Sequence, residues 1–309
     1  MARQGTAGYD GSLQPVDGDA LRDEMAEKAD SIEGSILSPM SPHHFWRGDW
    51  GSSLRRRWDV DDTLRVERCY QPEGTPEAAC LTICEVPFAP SLCVGTGGVV
   101  WPASLALASY VYRERAALHL EAVRTVLEIG AGSGIPGLCA ASLLSDSSCR
   151  VFLTDENRCI LENLRLNADA NRAAAVAQLQ VAPFVWEDFL QGTTHAPVED
   201  VDLLLGSDVI WGDRGPAVAR LALRLLRPGG MLLVSAREGR NGLDAFAHIL
   251  RGEEDEEKAS DPEFAVEMLR VDSLGPSAPG RTGSTPRCYR VPKAASTKDR
   301  PVPLAKDLL

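Results

Sequence analysis

From residue 124 onward, short apolar runs at Arg124–Ile129, Arg150–Thr154, Leu179–Val185, Val201–Gly206 and Met231–Ala236 alternate with longer segments. In those segments, Pro136–Leu144, Cys159–Ala168 and Gly215–Leu226, apolar residues recur at helical spacing. Strand alternating with helix predicts an α/β fold: a mostly parallel sheet with helices on both faces and right-handed crossovers. A further helix is expected at Gly242–Leu250. Beyond it, Phe264–Val271 and Arg287–Val291 read as strands with no helix between them, which predicts a terminal antiparallel pair. Upstream, residues 64–70 and 80–86 alternate apolar with polar and predict a hairpin. Val99–Leu120 predicts one amphipathic helix, with Pro102 in its first turn.

The same pattern divides the chain. Residues 1–40 are expected to be disordered apart from a short helix over Ala20–Ala29, and residues 41–98 form an extension that carries the hairpin. The principal domain covers 99–291 and a flexible tail covers 292–309. The extension begins with SPHHFWRGDWGSSLRRRW, residues 41–58, where Trp46, Trp50 and Trp58 are interleaved with four arginines. Such a segment either docks its indoles on the domain or stacks on bases. Net charge decides for docking. Thirty-two basic residues against 44 acidic ones give −12, which disfavours phosphate binding and suits a basic protein partner.

With 44% apolar and 25% charged residues, the 309-residue chain can bury one full core. Its longest apolar runs, Val99–Ala108 and Leu138–Leu144, fall short of the roughly 20 residues that span a bilayer. The N-terminus carries no signal-peptide pattern. A soluble, monomeric, cytoplasmic protein is expected, and residence in the nucleus is compatible with the same features. Eight scattered cysteines without a CxxC pair are expected to be reduced thiols, and no metal site is expected.

The chemistry concentrates at strand ends. VLEIGAGSGIPG, Val126–Gly137, runs from a buried strand through Gly130, Ala131, Gly132 and Gly134 into a helix. Glycines there let the backbone turn sharply and approach a ligand. Two spacings overlap in this loop. Gly132, Gly134 and Gly137 fit the dinucleotide pattern GxGxxG. Glu128 followed by Gly130, Gly132 and Gly134 fits the ExGxGxG loop of S-adenosylmethionine sites instead. Asp155 closes the next strand, where a carboxylate accepts from ribose hydroxyls or caps the following helix. Trp186 follows the third strand, either packing on adenine or filling the core. In GSDVIW, Gly206–Trp211, Ser207, Asp208 and Trp211 face the carboxyl edge of the sheet. Asp208 there holds an incoming amine or caps a helix, and Trp211 walls the channel with its π face.

Taken in order and spacing, GGVVWPAS, VLEIGAGSGIPG, TD at Asp155, VWEDF and SDVIW resemble the seven-strand protein-lysine methyltransferases of the methyltransferase-like group, over roughly residues 80–291. The resemblance implies a Rossmann-like seven-stranded methyltransferase fold. It also implies transfer of a methyl group from S-adenosyl-L-methionine to lysine side chains of a protein substrate, with no metal. Trp101, Glu128, Gly130, Ala131, Gly132, Gly134, Asp155, Trp186 and Ser207 are the implied cofactor contacts, and Asp208 and Trp211 the implied catalytic pair. The family's D-x-x-Y reads Asp208-Val-Ile-Trp211 here, so an aromatic ring is kept and a phenol lost. Acceptance by arginine or a small amine is the alternative. The rivals from other classes are a nicotinamide-dependent oxidoreductase and a non-catalytic binding module.

Overall fold

A computed structural model describes residues 65–71, 80–86, 95–237, 239–251, 267–269 and 286–293. These residues all belong to one compact unit, Arg57–Leu309. The expectations for residues 1–58, for the acidic loop 252–263 and for most of the tail lie outside the described residues.

Seven strands form the central sheet: β3 (Thr125–Ile129), β4 (Arg150–Asp155), β5 (Gln178–Pro183), β6 (Val201–Ser207), β7 (Leu226–Arg237), β8 (Glu267–Leu269) and β9 (Pro286–Pro292), in the order β5-β4-β3-β6-β7-β9-β8. The first five are mutually parallel, and β9 runs antiparallel to β7 and to β8. The parallel strands read as continuous apolar runs because both faces are covered. Val126, Val151, Leu153, Leu203 and Leu233 face one buried cluster, and Leu127, Phe152, Leu204, Leu232 and Val234 face the other. The covering helices are α1 (Pro102–Arg113), α2 (Ile135–Leu143), α3 (Arg158–Ala170), α4 (Trp186–Leu190), α5 (Arg214–Leu225) and α6 (Leu243–Leu250). No helix among the described residues is long and apolar enough to cross a membrane.

Several boundaries depart from expectation. The helix predicted over Val99–Leu120 stops at Arg113, and the chain then turns into a short 3₁₀ segment at Leu120–Ala122, entered through His119 in a left-handed backbone. β7 starts at Leu226, five residues before the predicted Met231, since Leu226 pairs with Val201 and the Arg-Pro-Gly-Gly stretch behind it is absorbed into the strand as an irregularity. The first two residues of the tail expected from 292 belong to the sheet instead. Pro292 lies in β9, and Lys293 donates its backbone N–H to Gly230 and its ammonium to the Leu223 and Leu226 carbonyls. Cys69 and Cys80 are joined in a disulfide, whereas all eight thiols were expected to be free. Antiparallel pairing sets their Cα atoms 6.0 Å apart, a proximity that a sequence separation of 11 does not announce.

The two N-terminal strands, β1 (Val66–Tyr70) and β2 (Leu81–Glu85), pair antiparallel as predicted. Among the described residues no strand covers the free edge of β2; Asn163 and Asn167 of α3 and Asn171 at its end, spaced i, i+4 and i+8, cover it instead. Asn171 accepts from Thr82 N–H (3.0 Å) and donates to Thr82 C=O (2.7 Å). Asn167 accepts from Cys84 N–H (2.7 Å) and Asn163 donates to Cys84 C=O (2.7 Å). Asn167, fully buried, also donates to the Ser133 carbonyl in the glycine loop at 3.0 Å, tying hairpin and loop together. Asn171→Ala strips both backbone groups of Thr82 of their partner. We expect it to cost about 2 kcal/mol, read as a lower urea midpoint with an unchanged slope.

Candidate functional site

The carboxyl ends of β3, β4, β5 and β6 carry the predicted residues to one edge of the sheet. The turn after β3 is held by its own backbone: Ala131 N–H donates to Thr154 C=O at 2.8 Å and Gly134 N–H to Ala131 C=O at 2.7 Å. Gly132 has φ +54°, and a Cβ built there would stand 3.2 Å from the Gly97 carbonyl oxygen. Gly97 lies in a short 3₁₀ turn, Gly95–Gly98, so this turn rests directly on the loop. Trp101 enters through the same turn. It precedes α1, and its indole N–H donates to Thr96 C=O at 2.8 Å.

Asp155 ends β4 and reaches back to the loop, accepting from Gly132 N–H (3.2 Å) and Asn157 N–H (3.0 Å). Burial pushes its carboxyl up to about 6, against the lowering effect of these two backbone donors. The cap of α3 is Asn157, whose side chain accepts from Cys159 and Ile160. Asp155 is therefore not spent on capping.

Glu128 points under α2 and is fully buried. Its Oε2 accepts from Gly137 N–H at 2.8 Å, and its Oε1 has no partner among the described residues. Burial first, and then the neighbouring Asp155 charge, push its carboxyl up to about 8.

Trp186 opens the short helix α4, where the sequence had suggested a strand end. Its buried ring lies 3.3 Å from a Cβ built on Gly130, so it closes the far side of the loop. Val209 packs against Gly130 and Gly206 and brings the segment after β6 to the same place. There Ser207 ends the strand in register with Ser235. Asp208 takes a left-handed backbone (φ +55°) stabilised by its N–H to Ser235 C=O (2.7 Å). Such a conformation in a non-glycine residue costs energy and recurs at functional sites. Asp208 does not cap α5, whose flanking residue is Asp213. It binds Arg240 through a fork, 2.8 and 3.0 Å from Nη2 to its two oxygens and 3.2 Å from Nε. Trp211 is 37% exposed at the rim.

Sequence reasoning missed Gly97, Glu156, Arg214 and Arg240. GTGG hinted at the first, since glycine repeats mark close backbone approach. Arg240 meets Asp208 across 32 residues, and no local pattern signals it.

The cradle suits S-adenosylmethionine and not a dinucleotide. A pyrophosphate needs the free N–H groups of the helix after the loop. In α2, Pro136 has none, Gly137 gives its own to Glu128, and Leu138 donates to Gly134 C=O. Asp155 then sets a carboxylate beside the loop, which repels phosphate and attracts a sulfonium and an ammonium, while Glu128 stands buried behind it and largely protonated.

Comparison with known proteins agrees. The family model described as lysine methyltransferase matches residues 88–252, more than half of the chain. The chain is 32% identical over 132 residues to the histone-arginine methyltransferase METTL23 of Xenopus laevis, covering 42% of this chain and 51% of that one. It is 30% identical over 146 residues to the protein N-lysine methyltransferase METTL21A of Xenopus tropicalis, covering 47% and 62%. The chain thus spans between half and two thirds of the length of these relatives. Among solved structures it is similar to an O-methyltransferase from Bacillus cereus in complex with SAH, at 16% identity and TM-score 0.45, covering 86% of this chain and 97% of that one. The methyl donor of the matched family is S-adenosylmethionine. The chain belongs to the lysine methyltransferase family.

Proposed function

We propose that this protein transfers a methyl group from S-adenosylmethionine to a lysine side chain of a protein. The observation that carries the reading is the acidic glycine loop, whose following helix has no N–H at Pro136 and has those of Gly137 and Leu138 already taken. In this reading Asp155 accepts the ribose hydroxyls, Trp186 packs on the adenine side, and Trp101 with the Gly97 turn closes over the loop. The unpartnered Oε1 of Glu128, once the carboxyl gives up its proton, supplies an acceptor for the cofactor's amino end, directly or through water. When bound, the cofactor supplies an electrophilic methyl group on sulfur.

The residues of the chain then handle the acceptor. A lysine attacks only as the neutral amine, because an ammonium has no lone pair. A bare carboxylate beside it would favour the ammonium. Arg240 neutralises Asp208, so the amine meets a dipolar pair and its deprotonated form is not penalised. Trp211 forms the apolar rim along which the side chain enters. The fork that Asp208 makes with Arg240 is also the geometry that recognises a guanidinium, and this observation favours arginine as the second reading.

Transfer of labelled methyl from S-adenosylmethionine into cell extract, followed by acid hydrolysis and separation of the methylated amino acids, tests the proposal. Methyl-lysine is expected with the wild type and not with Asp155→Ala. Methyl-arginine alone would move the acceptor class, and absence of protein label would reject the proposal.

A further inference from the structure

Arg214 is the first residue of α5 and is 8% exposed, although charged. A guanidinium is buried only where partners replace water. Here Nη2 lies 3.1 Å from Glu156 Oε1 and Nη1 3.9 Å from Glu187 Oε1. The guanidinium carbon also lies 5.0 Å from the centroid of Trp186 and 5.4 Å from that of Trp211, within cation–π range of both rings. Each of these four partners has a place at the site. Glu156 follows the ribose-side Asp155. Trp186 and Glu187 open the helix behind the loop. Trp211 is the acceptor-side rim, three residues before Arg214 and linked to it by Arg214 N–H to Trp211 C=O at 3.1 Å.

We propose that Arg214 is a positioning residue that holds the cofactor-side Trp186 and the acceptor-side Trp211 as one clamp. Its flat guanidinium stacks on both indoles while the two carboxylates fix its rotation. Trp186 is thereby pressed toward Gly130, and Trp211 is turned to face the same opening. A lysine in its place would keep the charge and lose the planar surface that aligns the two rings.

The inference rests on the placement of the cofactor beside Trp186, and the test separates the two. S-adenosylhomocysteine is titrated into the full chain by calorimetry, with tryptophan emission followed in parallel. Wild type is expected to bind, and Asp155→Asn to lose affinity. Failure of either reverses the cofactor placement itself. Arg214→Lys is expected to bind about tenfold more weakly and to show an altered emission maximum before ligand is added. Binding within twofold of wild type, with unchanged emission, would mean that charge alone matters and would overturn the proposal. In combination, Glu156→Gln is expected to weaken binding about threefold in the wild-type background and not at all in Arg214→Lys. Additive losses would also overturn it. If Arg214→Lys does not fold, Glu156→Gln alone decides: the threefold loss supports the clamp and an unchanged affinity rejects it.

Discussion

Asp155→Ala is expected to weaken S-adenosylmethionine binding by roughly 100-fold, about 3 kcal/mol for a charged acceptor that serves two hydroxyl donors. The carboxylate is half-buried, and its desolvation pushes its pKa up to about 6. The anion is the form that accepts ribose hydroxyls, so affinity depends on pH in a definite direction. Below about pH 6 the free protein carries a proton there, and binding must expel it. Apparent affinity should then fall up to tenfold for each further pH unit. Asp155→Asn, which has no proton to expel, should bind weakly at every pH, with a profile free of that step. Stability runs the other way. A carboxyl whose folded pKa is raised contributes least once it ionises, so folding without cofactor loses stability as pH rises from the ordinary carboxylate value through about 6. Asp155→Asn should therefore be at least as stable as wild type at pH 8 without ligand, while binding far less. A parallel loss of stability and affinity would mean that Asp155 is merely a strut for the glycine loop. Calorimetric titration and thermal melts between pH 5 and 8 measure both quantities.

The strands, the crossover helices and the glycine loop were legible because each is a local consequence of composition. Strands buried on both faces must be apolar throughout, and a loop on which another backbone rests must be glycine. Asp155 was legible because a strand end leaves few positions. What was not legible depends on partners distant in the chain. The polar stripe Asn163, Asn167 and Asn171 reads as a solvent face of α3, yet it completes the edge of β2 about 80–90 residues upstream. Arg214 reads as an ordinary basic residue at a helix start, although it is buried between two indoles. Asp208 reads as a free carboxylate awaiting an amine, and its charge is met by Arg240. Trp186 reads as the end of a strand and instead begins a helix, which turns its ring onto Gly130. In each case the side-chain type was visible and its counterpart was not.

Gly137→Ala is expected to be strongly destabilising, by about 3 kcal/mol. The position lies in α2, where alanine is ordinarily the better residue by about 1 kcal/mol. Here the added Cβ would overlap Leu153 Cδ2 and stand 2.5 Å from Glu128 Oε2. Neither neighbour has free space, since Leu153 and Glu128 are both fully buried. Pushing the helix outward would break the 2.8 Å bond from Gly137 N–H to Glu128 and leave a second carboxyl oxygen without a partner. The glycine is therefore kept for a buried acid. With its pKa pushed up to about 8, Glu128 is mostly protonated at neutral pH, and folding stability should decline as pH rises from about 4.5 through about 8. The slope can reach about 1.4 kcal/mol per pH unit at most. Glu128→Gln should remove that slope, matching wild type near pH 4.5 and exceeding it at pH 9 in urea unfolding without cofactor. Equal pH slopes in the two proteins would place the ionisation elsewhere. The two experiments together also decide how the glycine pattern is to be read. Gly137 completes GxGxxG only as spacing. If its substitution destabilises the fold and Glu128→Gln flattens the pH profile, the third glycine is there to seat a buried carboxyl against a helix, an arrangement that takes up the Gly137 N–H a pyrophosphate would need.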